Sequence, residues 1–168
     1  MVALIDRKVL VVADFEFNDL ATLLRRYGLE LVSCDRGEPI TGSFWGDPEA
    51  GIVGNTVYIR GDTPIHSLLH ETCHIICMSR ERRERLDCDA GGDDLEEAGV
   101  CYLQVLLADC IDGVGRERLM QDMDSWGYSF RLGSTRQWFE GDADEAKEFL
   151  INQRLLNEKG ELTFALRS

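Results

Sequence analysis

The hydrophobic pattern changes rhythm along the chain. Short apolar runs broken by glycine and turn residues dominate the first 60 positions, and three-to-four-residue spacing dominates the rest. Arg7 to Ala13 and Leu29 to Cys34 read as strands. Between them, Asn18 or Asp19 is placed to cap a helix that buries Leu20, Leu23, Leu24 and Tyr27 and ends at Gly28. Thr41 to Trp45 and Gly51 to Arg60, the latter broken at Gly54-Asn55, read as strands of a hairpin-like sheet.

Helical spacing takes over at Pro64. Asp62 or Thr63 can cap this helix, and Ile65, Leu68, Leu69, Ile75 and Ile76 supply its buried surface. It is expected to fade after Met78 into a solvated charged end, Arg80 to Arg85, followed by a loop containing Gly91-Gly92. A second helix opens on Asp93-Asp94-Leu95-Glu96-Glu97, acidic residues suited to a helix N-terminus, and is apolar on nearly every side through Ala108. That marks it as central. Further helices are expected from Arg116 to Trp126 and from Asp142, with Glu145 completing a capping box, through Leu150. Phe164 to Leu166 reads as a short tail strand. The sum is an α+β fold: a small mixed sheet in the N-terminal half and helices in the C-terminal half.

Composition adds bounds. A chain of 168 residues with 44% apolar and 29% charged side chains suits one domain, residues 1–168, with a real hydrophobic core. Eighteen basic against 31 acidic residues give a net charge of −13, which disfavours nucleic acid and anionic membrane surfaces as partners. The apolar run Val9 to Ala13 meets Asp14 and Glu16 at once, unlike a signal peptide, and no window approaches a membrane span. The six cysteines are therefore expected to stay reduced, in a cytoplasmic compartment. Cys73 and Cys77 share a helix face and read as buried small side chains rather than ligands.

The chemistry is concentrated in one place. All three histidines fall within nine positions, and His70-Glu71-Thr72-Cys73-His74 spells H-E-x-x-H. On a helix, residues four apart share a face, so His70 and His74 can grip one ion while Glu71 stands near enough to hold a water. Catalytic zinc takes a third protein ligand and keeps one position open. No histidine follows His74, so a carboxylate on the next helix is the natural third ligand, with Glu96 and Glu97 the candidates. Glu97 is favoured: it aligns with Cys101, Gln104 and Ala108, a small or polar stripe, whereas Glu96 aligns with Val100, Leu103 and Leu107. His66, one turn before His70, reads as an outer partner of the site. Tyr102, Tyr128 and Arg131 are the candidates for steadying an oxyanion. The reading is a Zn2+-dependent hydrolase acting on a peptide or protein, with Glu71 as general base; its alternative is a zincin-like module of weak or no activity that acts through a protein partner.

Val57 to Arg60, His70 to His74 and Glu96 to Tyr102 together resemble the ImmA/IrrE-type minimal zincins over roughly residues 50 to 110. The resemblance implies His70, His74 and Glu97 as metal ligands, Glu71 as general base, and a cytoplasmic bacterial protein that cleaves or controls a regulator. It also implies that Val57, Tyr58 and Ile59 lie on an edge strand that binds extended substrate by strand addition. Departures from the pattern are Gly99 where Asn is usual, Cys101-Tyr102 for Phe-Ala, and Cys73 for Gly. Cys101 also occupies the place where larger zinc peptidases carry an aspartate that orients a histidine.

Overall fold

Two helices packed face to face, Ile65–Cys77 (α2) and Asp94–Ala108 (α4), form the centre of the structure, a computed structural model that describes residues 8–168. Both are buried along almost their whole length, as expected for helices apolar on most sides. Around them the described residues form α1 (Phe17–Arg25), β1 (Glu30–Ser33), β2 (Gly51–Val53), β3 (Thr56–Ile59), α3 (Arg80–Glu84), α5 (Gly115–Trp126), α6 (Thr135–Gly141) and α7 (Asp144–Asn152). The architecture is α+β, with seven helices and one small mixed sheet among the described residues. None of these helices is long and apolar enough to cross a membrane. All six cysteines are free thiols, and Cys73 and Cys77 are fully buried.

The sheet runs β1-β3-β2, with β1 parallel and β2 antiparallel to β3. Gly54-Asn55 turns the β2–β3 hairpin as the sequence pattern requires. The central position of β3 corrects one expectation. Val57, Tyr58 and Ile59 are not on a sheet edge: Val57 pairs with Leu31 on one side and Ile52 on the other, and Val57 and Ile59 are fully buried. With backbone groups committed on both sides, β3 has none to offer an added strand.

Other departures have local causes. Arg7 lies outside the described residues, and the rest of the first expected strand is curled. The Val11 amide donates to the Asp14 carboxylate, and Val12–Asp14 forms a 3-10 turn, leaving one bridge between Val11 and Pro64. Thr41 to Trp45 is a turn pressed against β2. Thr41 O approaches Gly51 so closely that a Cβ there would stand 1.9 Å away, and Gly42 O accepts from Ile52 N. Arg80–Glu84 is a helix of its own because Ser79 Oγ accepts from Arg82 N. Its Arg83 is buried, donating to the carbonyls of Ile75, Met78 and Arg167. Ser134 and Gln137 form a capping box that opens α6, a helix not anticipated from the sequence. Asp142 is bound to Arg131 instead of capping, so α7 starts at Asp144. Phe164 adopts φ +55° and packs its ring at a tilt against Tyr27, so the tail makes no strand.

Gly99, mid-way along α4, has a packing reason. A Cβ there would stand 2.6 Å from Phe149 Cδ1 and 2.9 Å from Cε1, so its absence lets α7 lie directly on α4. Gly99→Ala should therefore destabilise the fold by roughly 1–3 kcal/mol through overpacking, in spite of alanine's better helix propensity. Urea denaturation of the purified variant checks this, and a midpoint equal to or above wild type would contradict the packing argument.

Candidate metal centre

Helix α2 needs no capping side chain to start: Pro64 sits at its N-cap, and Thr63 turns back to accept the Arg60 amide. Thirteen residues of helix then carry His70 and His74 one turn apart on the face turned to α4. Opposite them, Asp93 caps α4 by accepting from Glu96 N, which sets the first turn of that helix beside α2. Three side chains converge. The His70 and His74 Nε2 atoms are 3.1 Å apart, and Glu97 reaches them with Oε1 at 3.0 Å and Oε2 at 3.2 Å. Tetrahedral zinc, with bonds of about 2.0–2.1 Å, holds neighbouring donors about 3.3 Å apart. Two imidazole nitrogens and a carboxylate at these spacings fit such an ion. The grouping is able to hold a metal.

Glu71 stands beside it, with a carboxylate oxygen within 4.8 Å of a ring nitrogen of each histidine. Burial pushes the Glu71 carboxyl up to about 7, and pulls His74 down to about 4. A neutral imidazole is the form that binds metal. Burial resists ionisation of Glu97 most, but the hydrogen bond with His70 and the charges of His70 and His74 together outweigh it and keep the carboxylate below its usual pKa.

Glu96 points elsewhere. Its buried carboxylate is clasped by Arg82 at 2.6 and 3.0 Å and by Arg167 from the C-terminal tail at 3.0 Å. It ties α3 and the tail to α4 and is spoken for. His66 is buried behind the site, with Nδ1 3.3 Å from the Tyr128 hydroxyl and its ring against Trp126; burial pulls its pKa down to about 3. Tyr128 is the one oxyanion candidate that the fold brings to the centre. Its ring meets His70 edge-on at 5.7 Å, it lines the same cavity, and burial pushes its phenol up to about 12, so the hydroxyl keeps its proton. The other two are not there. Tyr102 stacks on Phe139 in the core, and the exposed Arg131 is paired with Asp142 beside α7.

Two cavities flank the donor set, of about 410 and about 230 Å3, and share Trp45, Glu71 and Glu97. Exposed Phe44, Trp45 and Trp126 give them an aromatic rim, and Trp126 Nε1 donates to Glu49 Oε1 at 2.7 Å. None of these rim residues belongs to a motif, so nothing short of the assembled fold reveals them. Gln104 is different. It stood on the Glu97 stripe in the sequence, and in the structure its Oε1 lies 2.8 Å from His70 Nδ1. Cys101, on the same stripe, forms a second potential donor grouping with His70 and Glu97, their ligand atoms within 4.8 Å of one another.

Comparison of the chain with protein-family models, with characterised proteins and with solved structures finds no match. Function is therefore read from the chemistry of the site alone.

Proposed function

We propose that this chain is a zinc-dependent peptidase of the minimal zincin kind, resembling the ImmA/IrrE group, and that it acts on a peptide or protein substrate in the cytoplasm. One observation carries the reading: Glu71 stands beside a convergent His70–His74–Glu97 donor set, at the edge of a cavity open to solvent. These three residues would hold the ion, and bound zinc supplies Lewis-acid polarisation of a carbonyl and a water of pKa about 7.

The protein's own groups do the rest. Glu71 takes the proton of the attacking water and hands it to the leaving amine. The Tyr128 hydroxyl donates to the carbonyl oxygen as it gains charge, a contribution of roughly 3–4 kcal/mol for a well-placed donor. The aromatic rim suits an extended peptide with bulky apolar side chains, since flat rings bury large area at small entropic cost.

The test starts with the metal. Purified protein should bind close to one zinc per chain, and a chelator should abolish peptide hydrolysis and lower the melting temperature together. Zinc at 1,000 times its Kd should raise stability by about 4 kcal/mol. Protein that takes up no zinc and melts unchanged with chelator contradicts the proposal.

A second reading has one observation in its favour. If Cys101 joins His70, His74 and Glu97, four protein ligands close the site, as in structural zinc centres, and the chain is a zincin-like module acting through a partner. A thiolate charge-transfer band in the cobalt-substituted protein separates the two, since the peptidase reading requires that it be absent.

A further inference from the structure

The side-chain amide of Gln104 sits at the junction of everything the site needs. It is fully buried on α4, two turns beyond Glu97, and it touches three groups. Its Nε2 donates to the His66 backbone carbonyl at 2.9 Å and reaches the Tyr128 hydroxyl at 3.4 Å, and its Oε1 lies 2.8 Å from His70 Nδ1.

The orientation of that amide follows from chemistry. A backbone carbonyl only accepts, so the NH2 end must face His66 O. The reverse orientation would set the Gln104 oxygen against the His66 oxygen at 2.9 Å, two acceptors with no proton between them. The amide oxygen is thus left for His70 Nδ1, and because that oxygen also only accepts, Nδ1 must carry the proton. Nε2, which faces His74 and Glu97, is then the nitrogen left for an ion; without one, the Glu97 carboxylate at 3.0 Å only accepts and so holds a second proton on Nε2.

The same logic reaches Tyr128. Its hydroxyl accepts from Gln104. It also accepts from His66 Nδ1, for the alternative would leave a buried N–H on His66 Nε2, which has no partner among the described residues. An orphaned buried N–H is rarer than an orphaned acceptor. With acceptor capacity used on its buried side, the phenol proton is free to point into the cavity.

We infer that Gln104 is a positioning residue: it holds His70 in the Nδ1–H tautomer that presents Nε2 as a ligand, and it turns the Tyr128 proton toward substrate. It fills the part that an aspartate at position 101 would otherwise play. The inference rests on the metal-binding reading above and is read in the zinc-loaded protein, where the Nε2 proton should be displaced and the Nδ1 proton should remain. Two-bond 1H–15N correlations of the zinc-loaded protein should place the remaining His70 proton on Nδ1.

Gln104→Met keeps the length and removes both polar ends. It should retain the helical circular-dichroism spectrum, weaken zinc binding about 10–100-fold in a chelator competition, and lose the protected Nδ1 proton signal of His70. Zinc-loaded wild-type His70 with no proton on Nδ1, or unchanged zinc affinity in folded Gln104→Met, would overturn the inference. If that variant does not fold, the wild-type tautomer decides. If the wild type binds no zinc, the metal reading falls and the inference with it, whereas zinc bound by a His70 with no Nδ1 proton overturns the inference alone.

Discussion

Glu71→Gln should leave one zinc bound per chain and reduce peptide hydrolysis by about 10²–10⁴-fold, the range for loss of a general base. The amide keeps the size and shape of the carboxyl group, so the buried pocket beside His70 and His74 need not repack. It cannot take a proton from water. Because Glu71 is not one of the three converging donors, metal content should be unchanged, and the pairing of full zinc with lost turnover is the diagnostic result. Wild-type rates in this variant would remove Glu71 from the reaction and leave the site a metal binder only. Zinc analysis and single-turnover peptide assays on the same preparation make the comparison direct.

Glu97→Ala and Glu96→Ala should separate metal binding from stability, although the residues are adjacent. Loss of Glu97 removes one of three ligands, and zinc affinity should fall by more than the 10–100-fold typical of an outer partner. Its side chain is 49% exposed, so apo stability should change little. Glu96 is 5% exposed and is the acceptor shared by Arg82 and Arg167, so its removal strands two guanidiniums. The expected loss is roughly 2–3 kcal/mol, at the lower end of such effects because both arginines still reach water. Denaturation midpoints and chelator competition on the two variants check both halves. A Glu96→Ala protein that loses zinc but keeps its stability would reverse the assignment.

How much of this was legible beforehand varies with how local the cause is. Helix α2 and the placement of His70, Glu71 and His74 follow from helical periodicity, which involves residues three or four apart. The acidic opening of α4 and the buried face of α1 are equally local and stand where the pattern puts them, but the caps differ: Asp93 caps α4 from just outside it, and α1 starts after Glu16 with neither Asn18 nor Asp19 as its cap. Glu97 and Glu96 lie on different sides of α4 for the same reason, 100° per residue, so that Glu97 faces the two imidazoles and Glu96 faces Arg82.

The misreadings share an opposite cause. An apolar run such as Val9 to Ala13 has strand composition, yet no neighbouring strand accepted it, and Asp14 curled it instead. Strand β3 reads the same from its sequence whether it lies at the edge or the centre of a sheet, because the difference is made by β1 and β2. The capping box of α6 was written at Ser134 and Gln137 and went unread, since only three residues, Trp138, Phe139 and Glu140, follow it before Gly141.

The amino-acid order alone determined that two imidazoles and a carboxyl group share one helix face, that an acid-opened buried helix follows, and that α and β elements mix. Only tertiary packing decided that Glu97 meets both imidazoles while Glu96 is held by arginines, that Tyr128 arrives where Arg131 and Tyr102 do not, and that Gln104 sets the protonation of His70. Helical phase is a property of neighbouring residues. Which faces meet depends on close packing over the whole core, down to the missing Cβ of Gly99 beneath Phe149.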